Sequence, residues 1–141
     1  MKKHFLAVAL SALAFLSTTP AFAVRTALTV VEPKKPDATI AANGADVAFT
    51  AADVSNKNSF VSTGREYIFA QNSGGSAYTV TVTSAADDLG RTKDIDAYSL
   101  GAGEFMVVGP VKQRGWRQSD GKVYLEAENA AVKFLIIRGE K

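Results

Sequence analysis

The sequence predicts an all-β fold: an antiparallel β-sandwich or jelly-roll-like domain of about eight strands. Beyond Ala23 the apolar residues recur at a period near two, which is typical of half-buried strands. Clusters of Gly, Asn, Asp and Ser separate these segments, as expected for turns between antiparallel neighbours. No segment of about 12 or more residues has a convincing helical face, which disfavours an α/β fold.

The N-terminal segment 1–23 is predicted to be a cleavable signal peptide rather than part of this fold. Lys2-Lys3 precedes the apolar run Phe5–Phe15, and Ala21-Phe22-Ala23 places small residues before a cleavage site. A membrane anchor is the alternative, but a spanning helix needs about 20 apolar residues and this run is roughly half as long. We therefore expect 24–141 to form a single domain, exported to the periplasm or the cell exterior.

The strands are expected in the following order along the mature chain. Their predicted ranges are Thr26–Val31, Asp46–Ala51, Glu66–Gln71, Ala77–Thr83, Ile95–Leu100, Glu104–Val108, Lys122–Glu126 and Ala131–Ile137. The clearest contains Tyr78, Val80 and Val82 on one face and three threonines on the other, and threonine suits an exposed pleated face. The last strand is apolar almost throughout, so we expect it to be covered on both faces, in the centre of a sheet or by a neighbouring subunit.

The connections are predicted from their turn chemistry. Segment 33–45 contains two prolines and an Asn-Gly pair, and we expect a long connection that crosses from one sheet to the other. Segment 53–64 is predicted to be a polar loop. Segment 72–76 indicates a hairpin loop, and 101–103 indicates the turn between the next pair of strands.

Composition excludes several classes of function. The chain has 16 Lys and Arg against 14 Asp and Glu. Because Lys2 and Lys3 leave with the leader, the mature domain is formally neutral, so a broad attraction to nucleic acid or anionic membranes is not expected. The chain has no cysteine and hence no disulfides. No later stretch is long enough to span a bilayer.

Catalytic residue types are scarce in the mature chain. The only histidine, His4, lies in the leader, and this excludes Ser-His-Asp and Cys-His catalysis and zinc sites built on those ligands. We therefore expect no enzyme, no catalytic residue and no cofactor. An enzyme that uses carboxylates alone is a further alternative, in which two carboxyl groups would face each other across a cleft. Its possible members are Glu66, Glu104, Glu126 and Glu128.

An acidic loop provides the one candidate for cation binding. Its acids, which flank Gly90-Arg91-Thr92-Lys93, are Asp87, Asp88, Asp94 and Asp96. Calcium takes six to eight oxygen ligands and could be bound by such a loop. However, EF-hand spacing is absent and two cations lie among the acids, which favours a solvated loop. We assign no metal site.

A basic cluster around the single tryptophan is the candidate binding site. It comprises Lys112, Arg114, Trp116 and Arg117. Cations beside an aromatic ring can stack a base or sugar and hold a phosphate or sulfate. Two alternatives stay open: the tryptophan packs over the edge of the sandwich while the cations lie in water, or the cluster is a protein-contact anchor.

The order of local motifs resembles a known class of protein. The series runs Asn72-Ser73-Gly74-Gly75, Tyr78–Val82, Gly90-Arg91-Thr92, Gly101-x-Gly103-Glu104, Gly109-Pro110 and Trp116-x-Gln118-x-Asp120-Gly121. It is similar to small virion proteins of tailed bacteriophages of the capsid decoration or cement type, over about Arg65 to Ile137. The resemblance implies a compact β-sandwich, assembly into oligomers on a lattice and no catalysis. The predicted leader departs from the pattern of that class.

Two functional hypotheses follow. The first is an exported, non-enzymatic structural protein that acts through protein–protein contact, by self-assembly into a homo-oligomer or by binding a partner protein. The alternative is a secreted module that binds carbohydrate or a cell-surface polymer through Trp116, Arg114 and Arg117.

Overall fold

The computed structural model describes residues 24–36 and 39–140, and these residues form an all-β fold without a helix. The strands are β1 (Thr26–Ala27), β2 (Val30–Val31), β3 (Thr50–Ala51), β4 (Asn58–Val61), β5 (Glu66–Asn72), β6 (Tyr78–Thr83), β7 (Ile95–Leu100), β8 (Phe105–Val111), β9 (Lys122–Ala127) and β10 (Val132–Arg138). The predicted leader lies outside the described residues. Within the described part of the chain, no helix is long and apolar enough to cross a membrane.

The strands form two sheets. Sheet A has the order β1-β4-β9-β6-β7, and sheet B has the order β2-β10-β5-β8, with β3 also paired to β10. The β1–β4 and β2–β10 pairs are parallel, and the other pairs are antiparallel. The β-sandwich prediction is confirmed, although the sheets are mixed and contain ten strands rather than about eight. This strand order does not identify the sandwich as a jelly roll.

The hydrophobic core lies between the two sheets and follows the period of two predicted from the sequence. In β6, Val80 and Val82 are fully buried, while Thr79, Thr81 and Thr83, which alternate with them, are only half-buried on the other face. The core is built from Leu28, Ala52, Phe60, Ile68, Ala70, Val80, Val82, Leu100, Met106, Val111, Val123, Leu125, Val132, Phe134 and Ile136.

The apolar closing strand, β10, lies in the interior of sheet B, which is one of the two arrangements predicted for it. All seven residues of β10 pair with β5, and its other edge pairs with β2 and β3. Val132, Phe134 and Ile136 point into the core, whereas Leu135 lies on the opposite face and is still only 5% exposed. The inner face of this strand is therefore covered, and its outer face is buried at Leu135 and half-buried at Lys133 and Ile137.

The predicted hairpin at 72–76 is wrong. This loop leads from β5 in sheet B to β6 in sheet A, and the 101–103 turn likewise leads from β7 back to β8 in the other sheet. The side chain of Asn72 joins these two crossings. Its Nδ2 donates hydrogen bonds to the carbonyls of Ser76 (2.7 Å) and Leu100 (2.9 Å), and its Oδ1 accepts one from the Gly74 N–H (2.9 Å). Turn residues indicate a change of direction but not which sheet the chain enters next.

The N-terminal half also differs from the prediction. The predicted strand 26–31 is divided between the two sheets as β1 and β2, because Leu28 between them turns into the core and is 7% exposed. The predicted strand 46–51 shortens to β3. The connection 33–45 joins β2 to β3, which both belong to sheet B, so it does not cross between sheets.

The predicted polar loop 53–64 contains an additional strand, β4, which pairs with β1 and β9. Its first two residues, Asn58 and Ser59, are fully buried although they are polar. The Asn58 Oδ1 accepts a hydrogen bond from the Asp53 N–H at 2.9 Å, which folds the preceding turn onto the strand. A strand that begins with buried polar residues lacks the apolar alternation by which strands are recognised in a sequence.

Candidate functional site

The two charged clusters singled out in the sequence lie against each other at one end of the sandwich. The Ala85 N–H donates to the carbonyl of Gly115 at 2.9 Å, and the side chain of Gln118 donates to the carbonyls of Thr83 and Ser84. Together the loops form an open, shallow groove of about 360 Å³, here called the loop groove. It is lined by Ser84, Asp87, Arg91, Thr92, Lys93, Arg114, Gly115 and Trp116.

Cations outnumber anions along the loop groove. Arg91 pairs with Asp87 at 2.6 Å, and this hydrogen-bonded guanidinium lowers the pKa of Asp87. Arg114 reaches Asp88 at 3.2 Å, but both side chains are largely exposed, and exposed pairs of this kind contribute little. Lys93 forms no ion pair with any residue that the structure describes. The groove therefore offers positive charge to a ligand.

Trp116 is half-buried and packs against the hydrophobic core while also lining the loop groove. Its packing agrees with the interpretation that it covers the edge of the sandwich. Arg114 lines the same groove, whereas Lys112 and Arg117 are exposed and do not. The structure thus brings together two of the four predicted binding residues and adds Arg91 and Lys93.

Three of the four acids in segment 87–96 are directed to separate partners, and the fourth, Asp96, lies on β7. Asp94 Oδ1 accepts hydrogen bonds from the N–H (2.8 Å) and hydroxyl (2.6 Å) of Ser84, which lower the pKa of Asp94. Asp87 and Asp88 face arginines. Among the residues described, no group of three or more His, Cys, Asp or Glu side chains is arranged to hold a metal ion. The calcium hypothesis therefore has no converging set of ligands in this loop.

Glu66 is a fully buried carboxylate at the start of β5. Its oxygens accept hydrogen bonds from the Thr63 hydroxyl (2.6 Å) and N–H (2.9 Å), from the Gly64 N–H (3.0 Å) and from Arg138 Nε (2.9 Å). Burial alone would raise the pKa of Glu66, but the bonds from Thr63 and Arg138 outweigh it and hold the pKa at about 2. Its geometry is that of a structural clamp, because every bond closes the β4–β5 turn or ties it to β10.

The other candidate carboxylates also have their own partners. Glu104 accepts a hydrogen bond from the Gly101 N–H at 2.7 Å, within its own turn. Glu126 and Glu128 share a shallow groove on sheet A, where Glu128 accepts from the Thr79 N–H at 3.0 Å. Burial raises the pKa of Glu126, and hydrogen bonds from Lys57 and Arg25 lower it to a net value below the usual range. A general acid at neutral pH needs the opposite shift.

The outer faces of the two sheets differ in chemistry. The outer face of sheet A carries Thr79, Thr81, Thr83, Lys122, Tyr124 and Glu126. The opposite face, here called the sheet B face, comprises Tyr67, Phe69, Gln71, Phe105, Val107, Lys133, Leu135 and Ile137. Leu135, Phe69 and Val107 are directly paired across three strands and form one apolar row.

The sheet B face is exposed where it reaches β8. Phe105 is 60% exposed and Val107 is 56% exposed, and the ring of Phe49 meets that of Phe105 edge-on with centroids 6.2 Å apart. On the described strands, Lys133 is the charged residue on this face. The sequence pattern that indicates this face is the presence of apolar residues on both sides of β5 and β8, as in Met106-Val107-Val108. In a single β-sandwich, one side of each strand points into the core and the other side points toward solvent.

No protein-family model matches the chain, and no curated protein or solved structure is significantly similar to it.

Proposed function

We propose that this chain is an exported, non-enzymatic structural protein that acts through protein–protein contact and self-associates through the sheet B face. The observation that supports this proposal most is the exposure of Phe105 and Val107 beside a continuous apolar row, on a molecule whose other outer face is polar. Large contiguous apolar patches mark interaction sites. Phe105 and Val107 are already partly buried, so covering the remainder favours association by less than the roughly 1.5–3 kcal/mol that full burial of such a side chain contributes.

A second copy of the chain is the proposed occupant of this face. The exposed residues at β8, Phe105 and Val107, are uncharged, and Lys133 lies two strands away on β10. Two copies can therefore meet at β8 without repulsion, and an isologous contact places apolar groups against apolar groups. The resemblance to phage decoration proteins supports the same mode of action, because such proteins assemble as repeated units on a lattice. The surface on which this chain assembles is then protein in nature.

Export is the second part of the proposal. Arg25 lies two residues beyond the predicted cleavage site, donates to Glu126 at 2.8 Å and stacks over the ring of Tyr124 at 4.1 Å. Cleavage after Ala23 would leave this anchor intact. N-terminal sequencing of protein recovered outside the cytoplasm should begin at Val24. Recovery only from the cytoplasm with Met1 retained would contradict export.

Light scattering on protein expressed from the full sequence tests self-association. The mass should exceed that of a monomer at high micromolar concentration and fall on dilution. Val107→Thr should shift this transition to higher concentration. The matched control is Val61→Thr, because Val61 is 60% exposed, close to the 56% of Val107, but lies on the outer face of sheet A. The mass curve of this control should follow the wild type. A monomeric wild type at every concentration, or equal effects of both substitutions, would overturn the proposal.

Binding of an anionic surface polymer is the second candidate, and the loop groove favours it. Arg91, Lys93 and Arg114 converge beside Trp116, although they come from two separate loops. Dextran sulfate is a suitable probe, with uncharged dextran as the reference. The double variant Lys93→Gln/Arg114→Gln should lose binding.

The control for this experiment is Lys112→Gln/Arg117→Gln, which removes the same charge outside the groove. Equal losses in the two double variants would show attraction by overall charge alone, and the loop groove would then not be a binding site. Retained binding in the Lys93→Gln/Arg114→Gln variant would have the same meaning.

A further inference from the structure

We propose that β8 is the contact element of self-association, and that it pairs antiparallel with β8 of a second copy around a two-fold axis, so that the two B sheets join edge to edge. This inference rests on the proposed self-association, and it places the sheet B faces of the two copies side by side in one continuous sheet, with Phe105 and Val107 of both copies at the seam. The contact would combine backbone hydrogen bonds along β8 with burial of the exposed side chains of the same strand.

Among the strands that the structure describes, β8 is the long, uncharged edge. It pairs only with β5, and its seven residues, Phe105–Val111, include no charged side chain. The edge strand β7 carries Asp96 and a register shift in its pairing with β6, while β1, β2 and β3 have two residues each. Proteins protect exposed edges with charges, bulges and short strands, and β8 lacks these protections over its first four residues.

The backbone polar groups of Phe105 and Val107 point to the free edge. The Asn72 N–H donates to the carbonyl of Glu104 at 3.0 Å, and the Asn72 carbonyl accepts from the Gly103 N–H at 3.0 Å, so the bonds between β5 and β8 begin with Asn72 facing Gly103 and Glu104. Bonding alternates along an antiparallel ladder, so Met106 also bonds to β5, whereas Phe105 and Val107 direct N–H and C=O outward. The same two residues carry the exposed apolar side chains.

One register satisfies these groups. Opposing Phe105 with Val107 of the second copy, and Met106 with its own equivalent, would form four backbone hydrogen bonds across the axis. It also creates two aromatic–aliphatic cross-strand pairs, which are favourable in sheets. Pro110, which has no N–H to donate, lies outside this segment and does not interrupt it.

Charge favours the antiparallel direction. Glu104 directly precedes β8 and Lys112 directly follows it. In the antiparallel register proposed above, Glu104 lies opposite Val108 of the second copy and is four residues, roughly 13–14 Å, from its Lys112. These charges therefore do not pair directly. A parallel pair would place like charges together at both ends, so the antiparallel orientation is the one that avoids repulsion.

Val107→Pro tests this geometry, because proline removes the N–H of residue 107 and is tolerated on an edge strand whose N–H faces solvent. The substitution removes two of the four proposed bonds across the axis. We expect the dimer dissociation constant to rise roughly 10- to 100-fold, with each bond contributing about 1 kcal/mol. Light scattering on the full chain measures this constant, and circular dichroism checks that the variant is folded.

Hydrogen exchange on the wild type gives a readout that needs no variant. The amides of Phe105 and Val107 should be protected in concentrated solution and exchange quickly on dilution, while Thr81, inside sheet A, stays protected throughout. A wild type that associates while these two amides exchange freely would overturn edge pairing alone, and association through the sheet B face would still stand. An unchanged constant in Val107→Pro would contradict both proposals, because that substitution also removes the Val107 side chain from the face. A wild type that never associates would overturn both proposals.

Discussion

Replacing Glu66 by glutamine should destabilise the fold strongly at neutral pH. The carboxylate has a pKa of about 2 in the folded chain against an ordinary value of 4.5. A difference of this size corresponds to about 3 kcal/mol of stability above pH 4.5, since each pKa unit is worth about 1.4 kcal/mol. Glutamine keeps the shape of the side chain but removes the charge that Arg138 and the N–H groups of the turn require.

The sign of the pH dependence is fixed by the lowered pKa. The stabilisation is complete above the unfolded pKa and is lost as pH falls from about 4.5 through about 2. At pH 3 the wild type should therefore retain only about 1 kcal/mol of it. The stability gap between the wild type and Glu66→Gln should narrow accordingly on acidification.

Urea denaturation at fixed protein concentration, followed by the fluorescence of Trp116, measures this gap at pH 7 and pH 3. The control is Glu32→Gln, which removes the other carboxylate on Arg138. Glu32 is 69% exposed, so its loss should cost no more than about 1 kcal/mol. The interpretation of Glu66 as a clamp would be refuted if Glu66→Gln lowered the free energy of unfolding by less than about 1 kcal/mol at pH 7. It would also be refuted if the difference between wild type and variant were as large at pH 3 as at pH 7.

Three further substitutions follow from the packing. Asn72→Ala should lower the free energy of unfolding in chemical denaturation by about 2–3 kcal/mol, because it leaves two carbonyls and one N–H unpaired at the sheet crossings. The control Asn56→Ala, at an exposed position, should lower it by less than about 0.5 kcal/mol. Trp116→Phe should lower the thermal midpoint by a few degrees, since the indole contacts the core; an unchanged midpoint would place the ring in solvent. Arg25→Ala should cost about 1 kcal/mol through loss of its bonds to β9 and its stacking on Tyr124, and no loss would indicate that β1 is held by backbone pairing alone.

The sequence was a reliable guide where each strand alternates apolar and polar residues. The bounds of β6 and of the closing strand β10 were predicted to within one residue, because the side chains that point into the core from these strands are apolar. It was misleading where polar residues are buried. Asn58 and Ser59 conceal β4, and Asn72 uses its amide to cross between sheets where a hairpin was expected.

Some residues of the candidate sites could likewise be predicted from the sequence, and others could not. Trp116 and Arg114 were identified from local composition, but Lys93 was assigned to an acidic loop because the contact between the two loops depends on long-range pairing. The sheet B face was missed for a different reason. Phe69 and Val107 become one patch only when β5 and β8 are paired in register, and a sequence does not specify that partner choice.

Mapping the self-contact by amide chemical shifts on dilution tests the central claim most directly. We expect dilution of the wild type to change the amide shifts of Phe105, Val107 and Phe69 and to leave those of Thr79 and Thr81 on sheet A unchanged. Shifts that do not depend on concentration, or changes confined to sheet A or to the loop groove, would contradict association through the sheet B face.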